Sequence, residues 1–353
     1  MSTEFSIVAI DVGNSHTAVK TATLTEEFAS IVVPIATQTD HGQRDDVFTT
    51  SFGSFLVGAS YKEETNVTSR STDSSYYSSD AYRVAFLYAL KKAGVEKPWL
   101  TIGLPAEFFE RLKEDLRANI KRWASEEGYA VQGVLILSQQ TGPFYDDQLI
   151  DENGNPVPTG TLLKGKFGVI DIGYGTIDLG EFIDGKPSES KHFGESEGVQ
   201  KIHKSVFTLL RHPPSNLIKK GRNKGVLPEG FSLPSDANVH TIDYWMRDNN
   251  ALFYKGEHID LSPITEPARK AYVNTVVMHG ISELWGDTGF HNGMILAGGG
   301  AAAIGRDLIK EVVTCPIYVS ADPQLSVVRG FYNRAKLALE YSVNSKASKA
   351  SKA

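Results

Sequence analysis

Residues 167–183 read Phe-Gly-Val-Ile-Asp-Ile-Gly-Tyr-Gly-Thr-Ile-Asp-Leu-Gly-Glu-Phe-Ile, an apolar strand that ends in an aspartate, a glycine-rich turn and a second strand. The same order recurs near the N-terminus: an apolar run over residues 5–10, the turn Asp11-Val-Gly-Asn-Ser-His16, and a returning strand over residues 17–24. The aspartates that end the two first strands, Asp11 and Asp171, lie 160 residues apart, close to half of the chain. This spacing predicts an internal duplication in which one such hairpin opens each of two similar domains.

Elsewhere the chain alternates short strands with helical segments, which is typical of an α/β protein with mixed sheets. Helical periodicity is found over residues 82–93, 108–127, 198–211, 266–285, 301–313 and 324–341. Further strands are expected at residues 99–103, 133–138 and 293–297.

The length of 353 residues suits two domains. We expect domain I to span residues 1–160 together with a returning helix at 329–341, and domain II to span residues 161–328. Residues 212–265 are rich in Pro, Gly and Asn and predict an irregular insertion in domain II. The Ser-Lys-Ala repeats near the C-terminus cannot bury apolar surface, so a disordered tail is expected over residues 342–353.

Composition and charge narrow the classes of function. The chain carries 36 Lys and Arg residues against 42 Asp and Glu residues, a formal net charge of −6, which argues against direct binding of nucleic acid. The single cysteine, Cys315, excludes an intramolecular disulfide and a multi-cysteine metal cluster, and it fits a reducing compartment. The start Met1-Ser2-Thr3-Glu4 lacks the basic and apolar stretches of a signal peptide, and no run of about 18 apolar residues is found, so we expect neither a leader nor a transmembrane helix. We therefore expect a cytoplasmic protein that does not bind membranes.

The two hairpin turns have the chemistry of phosphate-binding loops. Glycine at positions 13, 173 and 175 lets the backbone N–H groups approach an anion closely. Two such turns facing each other would hold the β- and γ-phosphates of a nucleotide from both sides. Asp11 and Asp171 would then lie near the phosphates, where carboxylates require a cation, and magnesium held partly through water is expected. Either hairpin alone is better explained as an Asp-Gly turn with a solvent-facing acid, and it is the pair of hairpins that favours a phosphate site.

A third glycine cluster follows a strand in the second half. Met294-Ile-Leu-Ala297 leads into Gly298-Gly299-Gly300-Ala301, which reads as a strand, a glycine loop and the start of a helix. The base and sugar of a nucleotide can pack on backbone that carries no side chains, with a phosphate near the helix N-terminus. A flexible turn is the alternative. A Rossmann dinucleotide site does not fit, because the first glycine turn leads into a strand.

Five segments, in this order, resemble the nucleotide signature of the actin, sugar-kinase and heat-shock-chaperone ATPase superfamily. They are the first phosphate loop Asp11-Val-Gly-Asn-Ser15, the first connecting helix Leu135-Ile-Leu-Ser-Gln-Gln-Thr-Gly-Pro-Phe-Tyr145, the second phosphate loop Asp171-Ile-Gly-Tyr-Gly-Thr-Ile-Asp178, the adenosine motif Leu296-Ala-Gly-Gly-Gly-Ala301, and the second connecting helix Val327-Val-Arg-Gly-Phe-Tyr332.

Within this superfamily the chain is most similar to bacterial actins of the ParM (StbA-like) type. The segments that suggest this are Phe55-Leu-Val-Gly58, Ser79-Asp-Ala-Tyr82, Ile102-Gly-Leu-Pro105 and Gln139-Gln-Thr-Gly-Pro-Phe-Tyr145-Asp146. The resemblance implies two similar actin-like (ribonuclease-H-like) domains with mixed sheets flanked by helices, and a nucleotide in the cleft between them. It also implies an ATPase (ATP or GTP, with magnesium) that polymerises into nucleotide-dependent filaments. Such filaments would segregate plasmid or other DNA through a separate DNA-binding adaptor.

The resemblance also assigns expected roles to residues. Gln139 would orient the attacking water, and Asp171 and Asp178 would assist it, with Asp11 and Asp171 reaching magnesium through water. The residues expected to cradle the phosphates are Gly13, Asn14, Ser15, Gly173, Tyr174, Gly175 and Thr176. Those expected at the ribose and base are Glu197, Lys201, Gly298, Gly299, Gly300 and Ala301. A solvated helix face is the alternative for Glu197 and Lys201.

One position departs from the pattern of the relatives, many of which carry a phosphate-binding lysine seven residues after the first aspartate. Here that position is Ala18. Lys20 lies on the same face of the strand and His16 lies in the turn, so either could contact the phosphates instead. Backbone donors alone are the third alternative.

Three other classes of function use related motifs. Asp11-Val-Gly-Asn-Ser15 also resembles the opening of pantothenate-kinase-like small-molecule kinases, although no base for an acceptor hydroxyl is apparent. A chaperone ATPase would need a peptide-binding domain after residue 341. A filament that organises the cell without moving DNA shares every nucleotide motif, and its shape-determining examples often carry an amphipathic membrane-binding end.

Overall fold

The computed structural model describes residues 6–35, 47–58, 73–158, 160–221 and 223–350, with side chains described as far as Ser342. In the first part of the chain the strands and helices are β1 (Ile7–Val12), β2 (His16–Lys20), β3 (Thr25–Ala29), β4 (Val32–Ile35), β5 (Val47–Thr50), β6 (Gly53–Val57), α1 (Asp80–Ala93), β7 (Trp99–Leu104), α2 (Ala106–Glu126), β8 (Gly133–Ser138), α3 (Thr141–Phe144) and β9 (Leu149–Ile150).

In the second part they are β10 (Lys166–Ile172), β11 (Ile177–Ile183), β12 (Lys186–Glu195), α4 (Gln200–Arg211), β13 (Lys219–Lys220), β14 (Asn223–Lys224), α5 (Val239–Arg247), β15 (Ala251–Tyr254), β16 (Glu257–Asp260), α6 (Ser262–Tyr272), α7 (Met278–Leu284), β17 (Gly293–Ala297), α8 (Gly299–Ile304), α9 (Arg306–Lys310), β18 (Ile317–Ser320) and α10 (Ser326–Ala350). A π-helical stretch, Val273–Val277, joins α6 to α7.

The two large sheets share a five-stranded topology, to which the second sheet adds the edge strand β9. The first has the strand order β3-β2-β1-β7-β8, and the second the order β12-β11-β10-β17-β18-β9. In each, three antiparallel strands built from one glycine hairpin are followed by two parallel strands. The internal duplication and the α/β fold with mixed sheets are therefore confirmed, and we call the units around the two sheets the first and the second domain.

The first strand of each glycine hairpin, β1 or β10, is called the opening strand here. It is buried because helices cover both of its faces. In β1, residues Val8, Ala9 and Ile10 have no exposed surface, and α1 and α10 both contact this strand. In β10, Val169 and Ile170 likewise have no exposed surface. Continuous apolar runs of this kind are characteristic of central strands covered on both sides. Each run ends at an aspartate beside its turn, which fixes where the acids lie.

The chain crosses between the domains twice, and the crossings touch. The first crossing includes α3, after which β9 pairs with β18 of the second sheet. This places the first crossing before the expected boundary at residue 160. The second crossing is the start of α10, which returns to pack on β1, β2 and β7. Arg329 of α10 forms a buried ion pair with Asp146, at 2.8 Å between Nε and Oδ1, so the two crossings are tied together.

Three expectations from the sequence need correction. Residues 212–265 contain two β-hairpins (β13–β14 and β15–β16) and α5, whose start is capped by Asn238. The expected helix 301–313 is two short helices, because Gly305 has a φ of +85° and interrupts it. Of the expected disordered tail, residues 342–350 continue α10, since the Ser-Lys-Ala repeats contain no helix breaker, and residues 351–353 lie outside the described residues.

Among the described helices, none combines the length and apolar character that a bilayer span requires.

Candidate nucleotide site

A cavity opens where the carboxyl ends of β1 and β10 face each other, between the two domains. Thirteen of the residues expected at a nucleotide site line it: Asp11, Gly13, Asn14, Ser15, Gln139, Asp171, Gly173, Tyr174, Gly175, Thr176, Gly298, Gly299 and Gly300. The duplicated hairpins bring the acids and the turns together, because both opening strands end at this cleft.

The two turns close in the same way. The N–H of Gly13 donates to the carbonyl of His16 at 3.1 Å, and the N–H of Gly173 donates to the carbonyl of Thr176 at 2.9 Å. A Cβ on Gly13 would lie 2.8 Å from that His16 oxygen, so the first turn requires glycine. Within the described residues, the N–H groups of Asn14 and Gly175 donate to no backbone or side-chain acceptor. The turns therefore present free donors to an anion in the cavity.

Asp171 is buried and Asp11 is partly buried, and the pKa of each carboxyl is raised. Burial raises the pKa of Asp11 to about 6, although the side chain of Gln139 opposes this by donating from Nε2 to Oδ1 at 3.3 Å. Burial first, and then the charges of Asp178 and Asp11, raise the pKa of Asp171 well above its ordinary value. Three carboxylates that repel one another in a buried cleft are an environment that a divalent cation would stabilise.

A magnesium ion held by one carboxylate from each domain and by water fits these residues. No group of three or more His, Cys, Asp or Glu side chains arranged to hold a metal is found in the described ranges. A site with two carboxylates does not need such a group, because magnesium usually keeps several of its waters.

Gln139 lies at the end of β8 and its amide is oriented. Its backbone N–H donates to the carbonyl of Leu104 at 2.8 Å, and its side-chain Nε2 is directed to Asp11. Its Oε1 is buried and lacks a hydrogen-bond partner among the described residues. A buried acceptor without a donor is costly unless a water or ligand supplies one. This is the geometry expected of a residue that accepts a hydrogen bond from a water in the cleft.

Asp178 lies outside the cavity lining, although the sequence placed it beside the attacking water. It stands opposite Asp171 in the β10–β11 register. Its Oδ1 accepts a hydrogen bond from the N–H of Ala106 at 2.5 Å, which holds the N-terminus of α2 from the other domain. Burial raises the pKa of Asp178 to about 7, against the effect of this bond. Its visible role is therefore an interdomain contact.

The remaining expected contacts also lie away from the cavity. Lys20 donates to Thr25 Oγ1 at 3.2 Å and lies over the ring of Tyr332, whereas His16 and Ala18 line the cavity. Glu197 and Lys201 form an ion pair with each other at 2.7 Å on the surface of α4 and its preceding loop. Ala301 is buried in the core of the second domain. Of the two expected replacements for the missing lysine, His16 lines the cavity and Lys20 does not.

A second cavity adjoins the first and was not expected from the sequence. The two share Val199, Arg247, Gly299 and Gln324, and the second adds His203, Asp243, Met246, Arg269, Ala302 and Ala303. Their volumes are about 80 and 240 Å³. Only together do they reach the lower end of the range for small-molecule sites, roughly 300–1,000 Å³.

The polar walls of the second cavity come mainly from α4 and α5. Arg247 and Asp243 pair at 2.9 Å, one helical turn apart. Burial lowers the pKa of His203 to about 4, so its ring is neutral near pH 7. The Nε of Arg269 is buried and unpartnered within the described residues. The sequence did signal α5, through Asn238 and Thr241, which form a capping box, but the Pro- and Gly-rich surroundings obscured it.

Comparisons with known proteins agree with the fold. Residues 9–131 match the model of the family described as "Actin like proteins N terminal domain". A search of curated proteins found no significant match. Among solved structures, the chain is similar to a pCBH ParM non-polymerisable quadruple mutant (18% identity, 95% of this chain and 100% of that one, TM-score 0.70).

Two further structures are similar over nearly the whole chain. One is a 15-stranded ParM filament from Clostridium botulinum (16% identity, 95% of this chain and 100% of that one, TM-score 0.70). The other is Ta0583, an archaeal actin homolog, in complex with ADP (17% identity, 94% and 99%, TM-score 0.63). The family model matches residues 9–131, and the fold is shared with ParM structures over nearly the full length, so the chain has the actin-like fold of ParM filament subunits.

Proposed function

We propose that this protein is a nucleoside triphosphatase that polymerises into nucleotide-dependent filaments. The observation that carries the proposal is the pair of matched turns, closed by Gly13 and Gly173, that meet across one interdomain cavity with Asp11 and Asp171 beside them. The complex of the archaeal actin homolog with ADP supports nucleotide binding, and the ParM filament structure supports polymerisation.

The free N–H donors of the two turns would bind the β- and γ-phosphates from opposite sides. His16 lines the cavity and would add a side-chain contact. Magnesium, when bound, would supply charge neutralisation between the phosphates and the carboxylates of Asp11 and Asp171. Gln139 would accept a hydrogen bond from the attacking water through its free Oε1, while Asp11 fixes the amide by accepting from Nε2. A glutamine is a weak base, so its role is to position the water.

The second cavity is the proposed site of the base and ribose. It continues the first cavity past Gly299, on the side where α8 begins, and its lining combines apolar residues with an equal number of polar or charged ones. Arg247, which pairs with Asp243, lines both cavities. The neutral ring of His203 and the unpartnered Arg269 Nε are available to the edge of a purine. ATP and GTP remain the candidate substrates.

Closure of the cleft would link nucleotide to assembly. A triphosphate that binds the turns of both domains draws the domains together and favours one shape of the subunit. A head-to-tail contact between such subunits does not close into a ring and gives an open filament. Hydrolysis would remove the terminal phosphate from between the turns and destabilise the polymer.

In the cell we propose a cytoplasmic filament that segregates plasmid or other DNA. The net charge of −6 disfavours direct binding of the subunit to DNA, so a separate DNA-binding adaptor would link the filament to its cargo.

Sedimentation of the full chain with Mg-ATP, Mg-ADP and a non-hydrolysable ATP analogue tests this function. We expect a pellet with ATP and the analogue above a critical concentration, and loss of the ATP pellet as phosphate is released. Protein that stays in the supernatant in every nucleotide state, at tens of micromolar and across salt concentrations, would rule out the filament. Phosphate transfer to an added acceptor such as pantothenate, in place of hydrolysis, would identify a kinase.

A further inference from the structure

Tyr77 is a cavity residue that none of the nucleotide motifs includes. It belongs to a 3-10 helix, Ser74–Ser78, whose first turn is capped by Asp73 through a 2.7 Å hydrogen bond from the N–H of Ser75. Only 7% of the Tyr77 surface is exposed, and Tyr77 lines the first cavity.

Aromatic neighbours fix the orientation of the Tyr77 ring. The ring centroid lies 5.6 Å from that of Tyr76, 5.5 Å from that of Tyr82 and 5.7 Å from that of Phe108, in edge-on or tilted contacts. Such contacts add to the burial energy and restrict ring motion. A hydroxyl on a ring held this way is already positioned before any ligand arrives.

The three tyrosines of this cluster use their hydroxyls differently. Tyr76 donates to the carbonyl of Gly13 at 3.2 Å, which supports the first phosphate turn. The Tyr82 hydroxyl is enclosed and unpartnered within the described residues. Tyr77 is the member that lines the cavity. Burial, with the neighbouring Tyr82 and the carboxylate of Asp178 as the next causes, holds the pKa of Tyr77 well above 10, so its hydroxyl remains a donor.

The location of Tyr77 indicates which part of a nucleotide it meets. Both Tyr77 and Gln139 line the first cavity, and neither lines the second, which is the proposed base site. Asp11 and Asp171, one carboxylate from each domain, line the same cavity as Tyr77. This is the phosphate end of the site.

We propose that the Tyr77 hydroxyl donates a hydrogen bond to the terminal phosphate of a bound nucleoside triphosphate and thereby distinguishes it from a diphosphate. The proposal rests on the proposed function of the site. Tyr77 packs on Phe108 of α2, and the N-terminus of α2 is held by Asp178 of the other domain. The contact to the terminal phosphate would therefore be made beside an existing interdomain contact and lost on hydrolysis.

The test compares Tyr77→Phe with Tyr82→Phe, since each removes one hydroxyl from the same cluster and keeps the ring. For Tyr77→Phe we expect the affinity for a non-hydrolysable ATP analogue to fall about tenfold to a hundredfold, the range for a hydrogen bond to a charged group. The affinity for ADP should stay within about twofold of the parent protein. Tyr82→Phe should leave both affinities unchanged.

Isothermal titration of the full chain with Mg-ADP and with the magnesium complex of the analogue gives both affinities. Equal loss for the two nucleotides, or no loss for either, would overturn the role of Tyr77 while the parent protein still binds both. A parent protein that binds neither nucleotide would overturn the proposed function itself. Unchanged thermal unfolding of nucleotide-free Tyr77→Phe would show that the loss comes from the missing hydroxyl.

Discussion

Gly330 of α10 packs directly against the backbone of Gly142 in α3, so that a Cβ on Gly330 would lie 1.6 Å from the Gly142 carbonyl oxygen. A Cβ on Gly142 would in turn meet the carbonyl oxygen of Val327 at 2.6 Å. The two passages of the chain between the domains therefore touch without side chains between them. Beside this contact, Arg329 binds Asp146, Ser320 and the carbonyl of Asp322. Any opening of the cleft must bend the chain at or near this crossing.

The first prediction concerns this crossing. Gly330→Ala must push α10 away from α3, because the obstacle is backbone and cannot rotate aside. Overpacking of this kind typically costs about 1–3 kcal/mol. We expect a lower midpoint of urea unfolding for the nucleotide-free protein. Gly160→Ala is the matched control, since Gly160 has a φ of −73° and no neighbour within 4 Å of an added Cβ. Equal midpoints for the two variants would contradict the close contact.

The sequence predicted the site best where the structure is decided locally. The turns after Asp11 and Asp171 are specified by a few adjacent residues, and the cavity formed where they were expected. Asp178 could not be placed this way, because its partner Ala106 is distant in sequence and belongs to the other domain. The second cavity was missed for the same reason, since α4, α5 and α8 meet only through tertiary packing. A smaller error concerns Gly305, whose positive φ interrupts the segment 301–313 that the sequence predicted as one helix.

The second prediction concerns Gln139. Gln139→Ala should bind nucleotide nearly as well as the parent protein and hydrolyse it about tenfold to a thousandfold more slowly, which is the usual cost of losing a positioning group. Filaments should then persist longer. Phosphate release and light scattering measure the two effects. Gln148→Ala, an exposed glutamine in the next loop, is the control and should behave like the parent. A parental hydrolysis rate in Gln139→Ala would remove Gln139 from the mechanism.

The third prediction concerns the metal. Asp171→Asn keeps the shape of the side chain but removes the charge that a magnesium ion would neutralise. We expect nucleotide affinity to lose its dependence on magnesium and hydrolysis to stop. Because burial and neighbouring carboxylates disfavour the charge of Asp171, the nucleotide-free variant should unfold at the parental temperature or above it. Titration calorimetry with and without EDTA, and a melting curve, give the results. If magnesium dependence persists in both Asp171→Asn and Asp11→Asn, the two acids are simple turn residues that do not hold the metal.

The fourth prediction separates the two roles of Asp178. If its role is to hold the N-terminus of α2, Asp178→Asn keeps an oxygen for the Ala106 N–H and should retain most of the hydrolysis. Asp178→Ala leaves that buried N–H unpaired, which typically costs about 1–3 kcal/mol. Urea unfolding should then separate the Ala variant from the Asn variant. If Asp178 polarises the attacking water, as the sequence suggested, both variants should lose hydrolysis equally.

The fifth prediction concerns pH and His203. Burial lowers the pKa of His203 to about 4, below the value of about 6.5 expected in the unfolded chain. Between these values the unfolded state binds more protons than the folded state, so the free energy of unfolding falls as the pH drops from 6.5 towards 4. The loss from this residue alone is at most about 3 kcal/mol.

His203→Gln removes this titration, so its free energy of unfolding should depend less steeply on pH than that of the parent between pH 4 and 6.5. Asp11 and Asp178 titrate in an overlapping range with the opposite sign, because their pKa values are raised. Only the difference between variant and parent isolates His203, and urea unfolding at half-unit intervals of pH measures it. His279→Gln, at a half-exposed histidine that faces Glu195, is the control. If the His203→Gln and parent curves run parallel, His203 is not buried in its neutral form, and the wall of the second cavity is charged.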